Sequence, residues 1–199
     1  MDARRFSGPS QRNRDPILAV LRGIVPDGAK VIEVASGSGM HAVWFTARLS
    51  NVTWQPTDLD EHNMASIVAW REFDEVPGVL DPVVLDVTVQ PWATGSSNVV
   101  YCANMIHIAP WSACLGLLDG AAEALDVGGA LVLYGPYKRD GEHTAEGNAR
   151  FDLSLRSRDA SWGVRDLEVV QAHALARGLE LERVVQMPVN NLILVFRRI

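Results

Sequence analysis

The chain has 199 residues, of which 48% are hydrophobic and 21% charged, and its formal net charge is −6. This composition is typical of one folded domain and excludes a globally disordered or collagen-like chain. The acidic balance also disfavours nucleic acid and anionic membranes as partners, because neither would find a broad basic surface.

The two cysteines indicate a reducing compartment, because Cys102 and Cys114 are too few for a disulfide framework and lack C-x-x-C spacing. The arginine-rich start, residues 1–14, has no apolar core and does not resemble a secretory signal. Polar residues and a proline interrupt the most apolar window, residues 99–118, which argues against a membrane span. We therefore expect a cytoplasmic protein.

Strands and helices alternate through the first half of the chain. Asp15 followed by Pro16 predicts a helix start, and Ile24 is the last residue of its apolar face. The elements that follow are predicted as a strand at 30–35 that ends in a Ser-Gly-Ser-Gly turn, a helix at 40–49, a strand at 52–56, a helix at 64–73 and a strand at 83–87.

The second half continues the pattern until its end. The predicted elements are a strand at 98–103, a helix at 112–125, a strand at 130–134, a helix at 166–177 and strands at 179–186 and 191–198. Residues 135–161 are predicted as a long loop on the substrate side. Only four residues separate the last two strands, so these strands should pair antiparallel. The prediction is a single α/β domain, residues 1–199, with a doubly wound, mainly parallel seven-stranded sheet and a C-terminal antiparallel strand.

The glycine turn after the first strand is the most informative segment. Gly37 and Gly39 remove the Cβ atoms that would keep a ligand from the backbone, and the following helix presents its positive dipole end. Asp58 lies nineteen residues after Gly39, where a carboxylate would bind the hydroxyls of a ribose. These features predict a nucleotide-like ligand; the alternative is a glycine turn that only packs between strand and helix.

Residues 33–39, Glu-Val-Ala-Ser-Gly-Ser-Gly, resemble motif I of class I methyltransferases that depend on S-adenosylmethionine (SAM). The segments at 54–58, 104–111, 134–138 and 187–191 resemble the blocks of the methyltransferase-like protein 26 family. This resemblance runs from about residue 13 to residue 197. It implies the class I, Rossmann-like fold, SAM as cofactor and S-adenosylhomocysteine (SAH) as product.

The resemblance also implies roles for single residues. Gly37 and Gly39 would line the methionine and ribose of SAM, and Asp58 would bind the ribose. Asp86 would meet the adenine amino group, and Asn104 the methionine end. The full set of predicted cofactor-binding residues is Glu33, Gly37, Ser38, Gly39, His41, Asp58, Leu59, Asp86, Val87, Asn104, Met105 and Arg14.

Several of these residues have simpler explanations. Asp58 and Asp86 are alternatively helix caps, and Asn104 is alternatively a turn residue. Arg12 and Arg14 would pair with the methionine carboxylate if residues 1–14 fold over the site as a lid, and otherwise belong to a solvated tail.

His107 is the candidate general base for methyl transfer, because it follows the fourth strand at the edge where α/β proteins bind ligands. The alternative is a packed histidine with one satisfied ring nitrogen. The predicted acceptor pocket comprises Tyr134, Tyr137, Asn148, Phe151, Asp152, Asn190 and Asn191.

The sequence thus predicts a SAM-dependent methyltransferase for an unidentified small molecule. A SAM enzyme that does not methylate, a non-catalytic SAM-binding protein and, less favoured, a nicotinamide-dependent oxidoreductase stay open. No metal is predicted, because no H-E-x-x-H or paired C-x-x-C pattern occurs. The oligomeric state is not predicted.

Overall fold

The structure, a computed structural model, describes residues 2–199. Its strands, in chain order, are β1 (Lys30–Val34), β2 (Thr53–Asp58), β3 (Val83–Val84), β4 (Ser97–Ala103), β5 (Leu125–Gly135), β6 (Tyr137–Arg139), β7 (Glu142–His143), β8 (Arg165–Asp166), β9 (Leu179–Met187) and β10 (Asn191–Arg198). The helices are α1 (Gly8–Leu21), α2 (Met40–Thr46), α3 (Glu61–Phe73), α4 (Trp111–Ala124), α5 (Glu146–Arg158) and α6 (Leu167–Leu175). Across residues 2–199, none of these helices combines the length and the hydrophobicity that a membrane crossing needs.

Seven strands form the central sheet in the order β3-β2-β1-β4-β5-β10-β9. Strands β1 to β5 are parallel, and β10 lies antiparallel between β5 and β9. A single 3-10 turn, Pro188–Asn190, joins β9 to β10 and is too short for a parallel crossover. The predicted fold class and the predicted antiparallel pair are therefore confirmed.

Two hydrophobic clusters cover the two faces of the sheet. Ile32 and Val100 belong to the cluster that includes residues of α4 and α6, whereas Val31 and Val99 belong to the cluster that includes residues of α1 and α2. Neighbouring strand residues point to opposite faces, so a strand with helices on both sides is apolar in almost every position.

Helix α1 begins earlier than the sequence predicts. It starts at Gly8, and Ser7 caps it by accepting a hydrogen bond from the Ser10 backbone N–H at 3.2 Å. Asp15 and Pro16 therefore lie inside the helix, and the predicted start there is wrong. A proline in a helix removes one backbone hydrogen bond, and the packing of three buried residues compensates for it: Ile17, Leu18 and Leu21.

Residues 135–161, predicted as one long loop, instead contain β6, β7 and helix α5. The short strands β6 and β7 form a second sheet with β8. Helix α5 escaped the hydrophobic pattern because two of its three buried residues are polar: Asn148, Asp152 and Leu155, at i, i+4 and i+7. The three buried residues have helical spacing, but two of them are polar, so the helix has no continuous apolar face.

Candidate functional site

The glycine turn connects β1 to α2 at the carboxyl edge of the sheet. Three residues there have a positive φ: Ala35 at 58°, Gly37 at 57° and Gly39 at 85°. A Cβ on Gly39 would lie 2.8 Å from the Cα of Ile67, so α3 packs directly on this glycine. A Cβ on Gly37 would have no atom within 4 Å. The packing explanation therefore accounts for Gly39, whereas Gly37 faces open space that a ligand would enter.

Asp58 ends β2 beside this turn. Its Oδ2 accepts a hydrogen bond from the Gly37 N–H at 2.8 Å, and its Oδ1 accepts one from the Asp60 N–H at 2.9 Å. Asp60, not Asp58, caps α3 by accepting from the His62 N–H. Each carboxylate oxygen of Asp58 has a second lone pair. These acceptor positions therefore fit a ribose, whose two hydroxyls would donate to the remaining lone pairs.

Glu33 braces the turn from within β1. Its Oε2 accepts a hydrogen bond from Trp54 Nε1 at 3.0 Å, and its backbone carbonyl accepts one from the Thr57 hydroxyl at 2.8 Å. Burial raises the pKa of the Glu33 carboxyl to about 7, and the nearby charge of Asp58 adds to the increase. The buried Glu33 carboxyl thus has the indole of Trp54 as its hydrogen-bond partner.

The ends of β2 and β3 carry the residues predicted to meet adenine. Asp86 lies two residues after β3, and hydrogen bonds from the Thr88 hydroxyl (2.7 Å) and backbone N–H (2.8 Å) lower its pKa. Val87 is buried, whereas the Leu59 residue is 64% exposed although it is a large apolar side chain. An ionised acid and an open apolar surface thus flank this part of the edge.

His41 links α2 to α1. Its Nε2 lies 2.8 Å from Asn13 Oδ1 and its Nδ1 lies 3.3 Å from the Tyr101 hydroxyl. Burial lowers the pKa of His41 to about 4. Arg14 stacks over the Trp44 ring at 3.4 Å, and its buried Nε has no hydrogen-bond partner among residues 2–199.

Residues 2–7, which we call the N-terminal strap, connect α3 to the glycine turn. The Arg5 N–H donates to Ser66 Oγ at 2.9 Å, and the same hydroxyl donates to the Ser38 carbonyl at 2.7 Å. The Ser7 N–H lies 3.2 Å from the Met40 sulfur. No motif in the sequence marks Ser66, because its function depends on two segments that are distant in the chain.

A cavity of about 430 Å³, here the α1–α5 cavity, opens beside the end of β4. Its lining consists of Pro9, Arg12, Asn13, Pro16, Asn104, Tyr134, Pro136, Gly147, Asn148, Phe151, Pro188, Val189, Asn190 and Asn191. Five of the seven residues predicted for an acceptor pocket are among these. The sequence predicted residues 1–14 as a lid over the site, with a solvated tail as the alternative, and missed that the first two turns of helix α1 form this part of the lining.

Asn148 holds one wall of this cavity in place. Its Nδ2 donates to Thr144 Oγ1 at 3.1 Å and to the Asn190 carbonyl at 3.0 Å, which uses both amide hydrogens. Val189 and Asn190 have φ values of 59° and 56°. A positive φ is rare for a β-branched residue and costs on the order of 1–3 kcal/mol. The turn between β9 and β10 is thus strained where it borders the cavity.

Tyr137 and Asp152, also predicted for the acceptor pocket, do not line the cavity. Tyr137 is fully buried. Asp152 accepts a hydrogen bond from the Val164 N–H at 2.7 Å and lies near three basic side chains: Arg156 at 3.2 Å, His143 at 3.3 Å and Lys138 at 3.6 Å. Their substrate contacts stay predictions that this geometry does not support. Within residues 2–199, no three His, Cys, Asp or Glu side chains are grouped to hold a metal ion.

His107 is fully buried in the 3-10 turn that follows β4. Its Nδ1 accepts a hydrogen bond from the Arg165 N–H at 3.3 Å, which assigns the proton to Nε2. Burial lowers the pKa of His107 to about 3. A Cβ on Gly135 would lie 2.5 Å from Nε2, so this nitrogen packs against Gly135, and it has no hydrogen-bond partner among residues 2–199. A neutral ring with this tautomer has no free lone pair, and the geometry does not support the predicted base role.

The comparison with protein families matches almost the whole chain. A family described as protein of unknown function (DUF938) matches residues 4–198. This chain belongs to that family. Its description assigns no activity, so the DUF938 protein has to be interpreted from its fold and its site.

Solved structures similar to the DUF938 protein are methyltransferases. An O-methyltransferase family 2 protein from Planctomyces limnophilus, in complex with apigenin, superposes with a TM-score of 0.85 at 17% identity over 96% of this chain and 58% of that one. An O-methyltransferase family protein from Burkholderia thailandensis superposes with a TM-score of 0.78 at 19% sequence identity, over 96% of this chain and 56% of that one. CalO1, a methyltransferase in calicheamicin biosynthesis in its SAH-bound form, superposes with a TM-score of 0.73 at 16% sequence identity. The match covers 92% of this chain and 53% of CalO1. The DUF938 protein thus has the Rossmann-like methyltransferase fold and spans little more than half the length of these proteins.

Proposed function

We propose that the DUF938 protein is a SAM-dependent methyltransferase that acts on a small molecule and releases SAH. The observation that carries this proposal is the 2.8 Å hydrogen bond from the Gly37 N–H to Asp58 Oδ2. It joins a glycine turn that faces open space to the carboxylate at the end of the neighbouring strand. The resemblance to the methyltransferase-like protein 26 family supports the same reading.

In this proposal the cofactor lies along the carboxyl edge of the sheet. Asp58 accepts hydrogen bonds from the ribose, Asp86 accepts one from the adenine amino group, and Leu59 contacts the base. The unpartnered Nε of Arg14 would donate to the methionine carboxylate. The other residues proposed around the cofactor are Glu33, Ser38, Gly39, His41, Val87, Asn104 and Met105.

The acceptor would occupy the α1–α5 cavity. Asn104 follows β4 within the proposed cofactor site and also lines this cavity, so the two sites adjoin. Bound SAM supplies a methyl group on a positively charged sulfur, and in-line transfer requires above all that the acceptor atom is positioned. Tyr134 and Phe151, which line the cavity, would hold the acceptor.

Calorimetric titration with SAM, SAH and NADH tests the proposal. We expect SAM and SAH to bind and NADH not to bind. Asp58→Ala should weaken SAH binding by about 1–3 kcal/mol, the scale for losing hydrogen bonds to a charged group. Asp81→Ala is the matched control, because Asp81 is an exposed carboxylate paired with Arg71 outside the site. NADH binding without SAH binding would favour an oxidoreductase, and equal SAH affinity in both variants would remove Asp58 from the site.

A further inference from the structure

The described residues that line the α1–α5 cavity include no side chain that can take a proton at neutral pH. Among the residues that line it, only Arg12 and Tyr134 have ionisable side chains. Arg12 is a permanent cation. Burial raises the pKa of Tyr134, so its hydroxyl stays protonated. General-base catalysis needs a deprotonated group within hydrogen-bond reach of the acceptor, and this lining supplies none.

The histidines next to the cavity do not fill this gap. His107 Nδ1 accepts from the Arg165 N–H, so the proton is on Nε2, which is buried beside Gly135 and has no hydrogen-bond partner among residues 2–199. Both nitrogens of His41 already have partners, in Asn13 and Tyr101. Each ring is buried and neutral, and neither has a lone pair directed at the cavity.

The nearby acids are also committed elsewhere. Asp58 accepts hydrogen bonds from Gly37 and Asp60 at the glycine turn. Asp152 is on α5 but faces the basic cluster of β6, β7 and its own helix rather than the cavity. The Glu33 carboxyl, with a pKa of about 7, is buried in β1 against Trp54 and does not line the cavity. Among the described residues that line the cavity, no side chain is therefore free to take the proton of an acceptor.

The lining does favour a flat anion. Arg12 is its one charged residue and has no ion pair within the described part of the chain. The Phe151 ring and prolines on α1, after β5 and after β9 provide apolar surfaces of the kind that pack against a planar ring. A cavity of about 430 Å³ is at the small end of ligand pockets and suits one or two rings.

We infer that the acceptor enters this cavity already ionised, as an aromatic thiolate or an acidic phenolate. This inference rests on the proposed methyl transfer. The acceptor loses its proton to solvent before it binds. A lone pair on its sulfur or oxygen then forms the bond to the methyl carbon, while the carbon–sulfonium bond breaks and its electron pair stays on sulfur as the neutral thioether of SAH. No proton passes to the protein, and Arg12 stabilises the bound anion.

A series of substituted thiophenols and phenols tests the inference, with acceptor pKa values from about 5 to about 10, the value of an ordinary phenol. Methylated product is measured by mass spectrometry with EDTA present, and kcat/KM is measured against pH. We expect the rise in kcat/KM to have its midpoint at the pKa of each acceptor. A midpoint that is the same for all acceptors would reveal a base in the protein, His107 included, and overturn the inference.

The failure of this inference and that of the proposed function are distinguishable. If SAH binds in calorimetry but no member of the series is methylated, the inference is wrong and the cofactor site stands. If neither SAM nor SAH binds, the inference and the proposed function are both wrong.

Arg12→Gln tests the cationic group directly. We expect it to lower kcat/KM for the ionised acceptors about tenfold, the effect of one lost charge-assisted contact, with SAH affinity unchanged. Arg22→Gln is the matched control, since Arg22 is exposed just after α1 and does not line the cavity. A fall in SAH affinity in Arg12→Gln would assign Arg12 to the methionine carboxylate and remove it from the acceptor.

Discussion

Glu33 shows how one buried carboxyl couples the candidate cofactor site to pH. Burial raises its pKa to about 7 from the ordinary value of 4.5. Between these two values the folded protein holds a proton that the unfolded chain has lost. Stability therefore falls as pH rises through this interval and levels off above about pH 7.

The expected loss from Glu33 is on the order of 3 kcal/mol across that interval. His41 and His107 act in the opposite direction, because burial lowers their pKa values to about 4 and about 3 and the folded state resists their protonation. Urea unfolding of the wild type and of Glu33→Gln at several pH values separates these contributions. The glutamine can still accept from Trp54, so we expect the difference between the two proteins to change with pH. Parallel profiles would contradict the raised pKa.

Single residues differ in how far the sequence predicts them. Asp58 was placed at the end of β2 from its distance to the glycine turn, and the structure places it there. His107 was placed correctly after β4, but its tautomer depends on the Arg165 N–H, fifty-eight residues away. A position in a strand–turn–helix unit is local information, whereas the chemistry of an imidazole depends on its tertiary partners.

At the scale of elements, α5 depends on a buried charge rather than on an apolar face. Burial alone would raise the pKa of Asp152, but the Val164 N–H, Arg156 and Lys138 outweigh it and hold the pKa below its usual value. The carboxylate thereby joins α5 to β6 and β7 and to the segment before β8. The wall of the α1–α5 cavity that α5 forms is held by this cluster.

Asp152→Ala should destabilise the protein by about 3–5 kcal/mol, because it leaves the basic groups and the Val164 N–H without their partner. Urea unfolding measures this loss. Glu146→Gln is the control on the same helix, where the exposed pair with Arg150 should contribute less than about 1 kcal/mol. Equal stability of the two variants would mean that the cluster does not hold α5.

At the scale of the whole molecule, the start of the chain reaches the proposed cofactor site from outside. The N-terminal strap crosses α3, where Phe6 packs edge-on against Trp70 at 5.0 Å and Arg4 lies over the Phe73 ring at 3.4 Å. Its hydrogen bond to Ser66 continues to the Ser38 carbonyl in the glycine turn. The expectation that residues 1–14 act as a lid thus becomes a more specific proposal, in which the N-terminal strap is followed directly by helix α1. Met1 lies outside the described residues.

Deleting residues 2–6 should weaken SAH binding about threefold to tenfold, the effect of losing one hydrogen bond in the support of the turn. Ser66→Ala, which removes the same link but keeps the aromatic contacts, should give a similar loss. Arg4→Ala is the control, because the Arg4 side chain packs on Phe73 at the end of α3 and makes no hydrogen bond to Ser66 or the turn. Calorimetry on these variants decides the matter: unchanged affinity after the deletion would restrict the strap to a role in stability.

The sequence by itself determined the layered fold, the glycine turn with Asp58 and the antiparallel strands at the end, because strand period, turn residues and connection length are local properties. It did not determine α5, the tautomer of His107 or the α1–α5 cavity. The inward Asp152 of α5 depends on basic partners from β6, β7 and the next turn of its own helix, and the inward Asn148 depends on Thr144 and Asn190. The cavity lining comes from five separate parts of the chain. Tertiary structure decided these features because the energy of a buried polar group depends on partners that a local pattern does not contain.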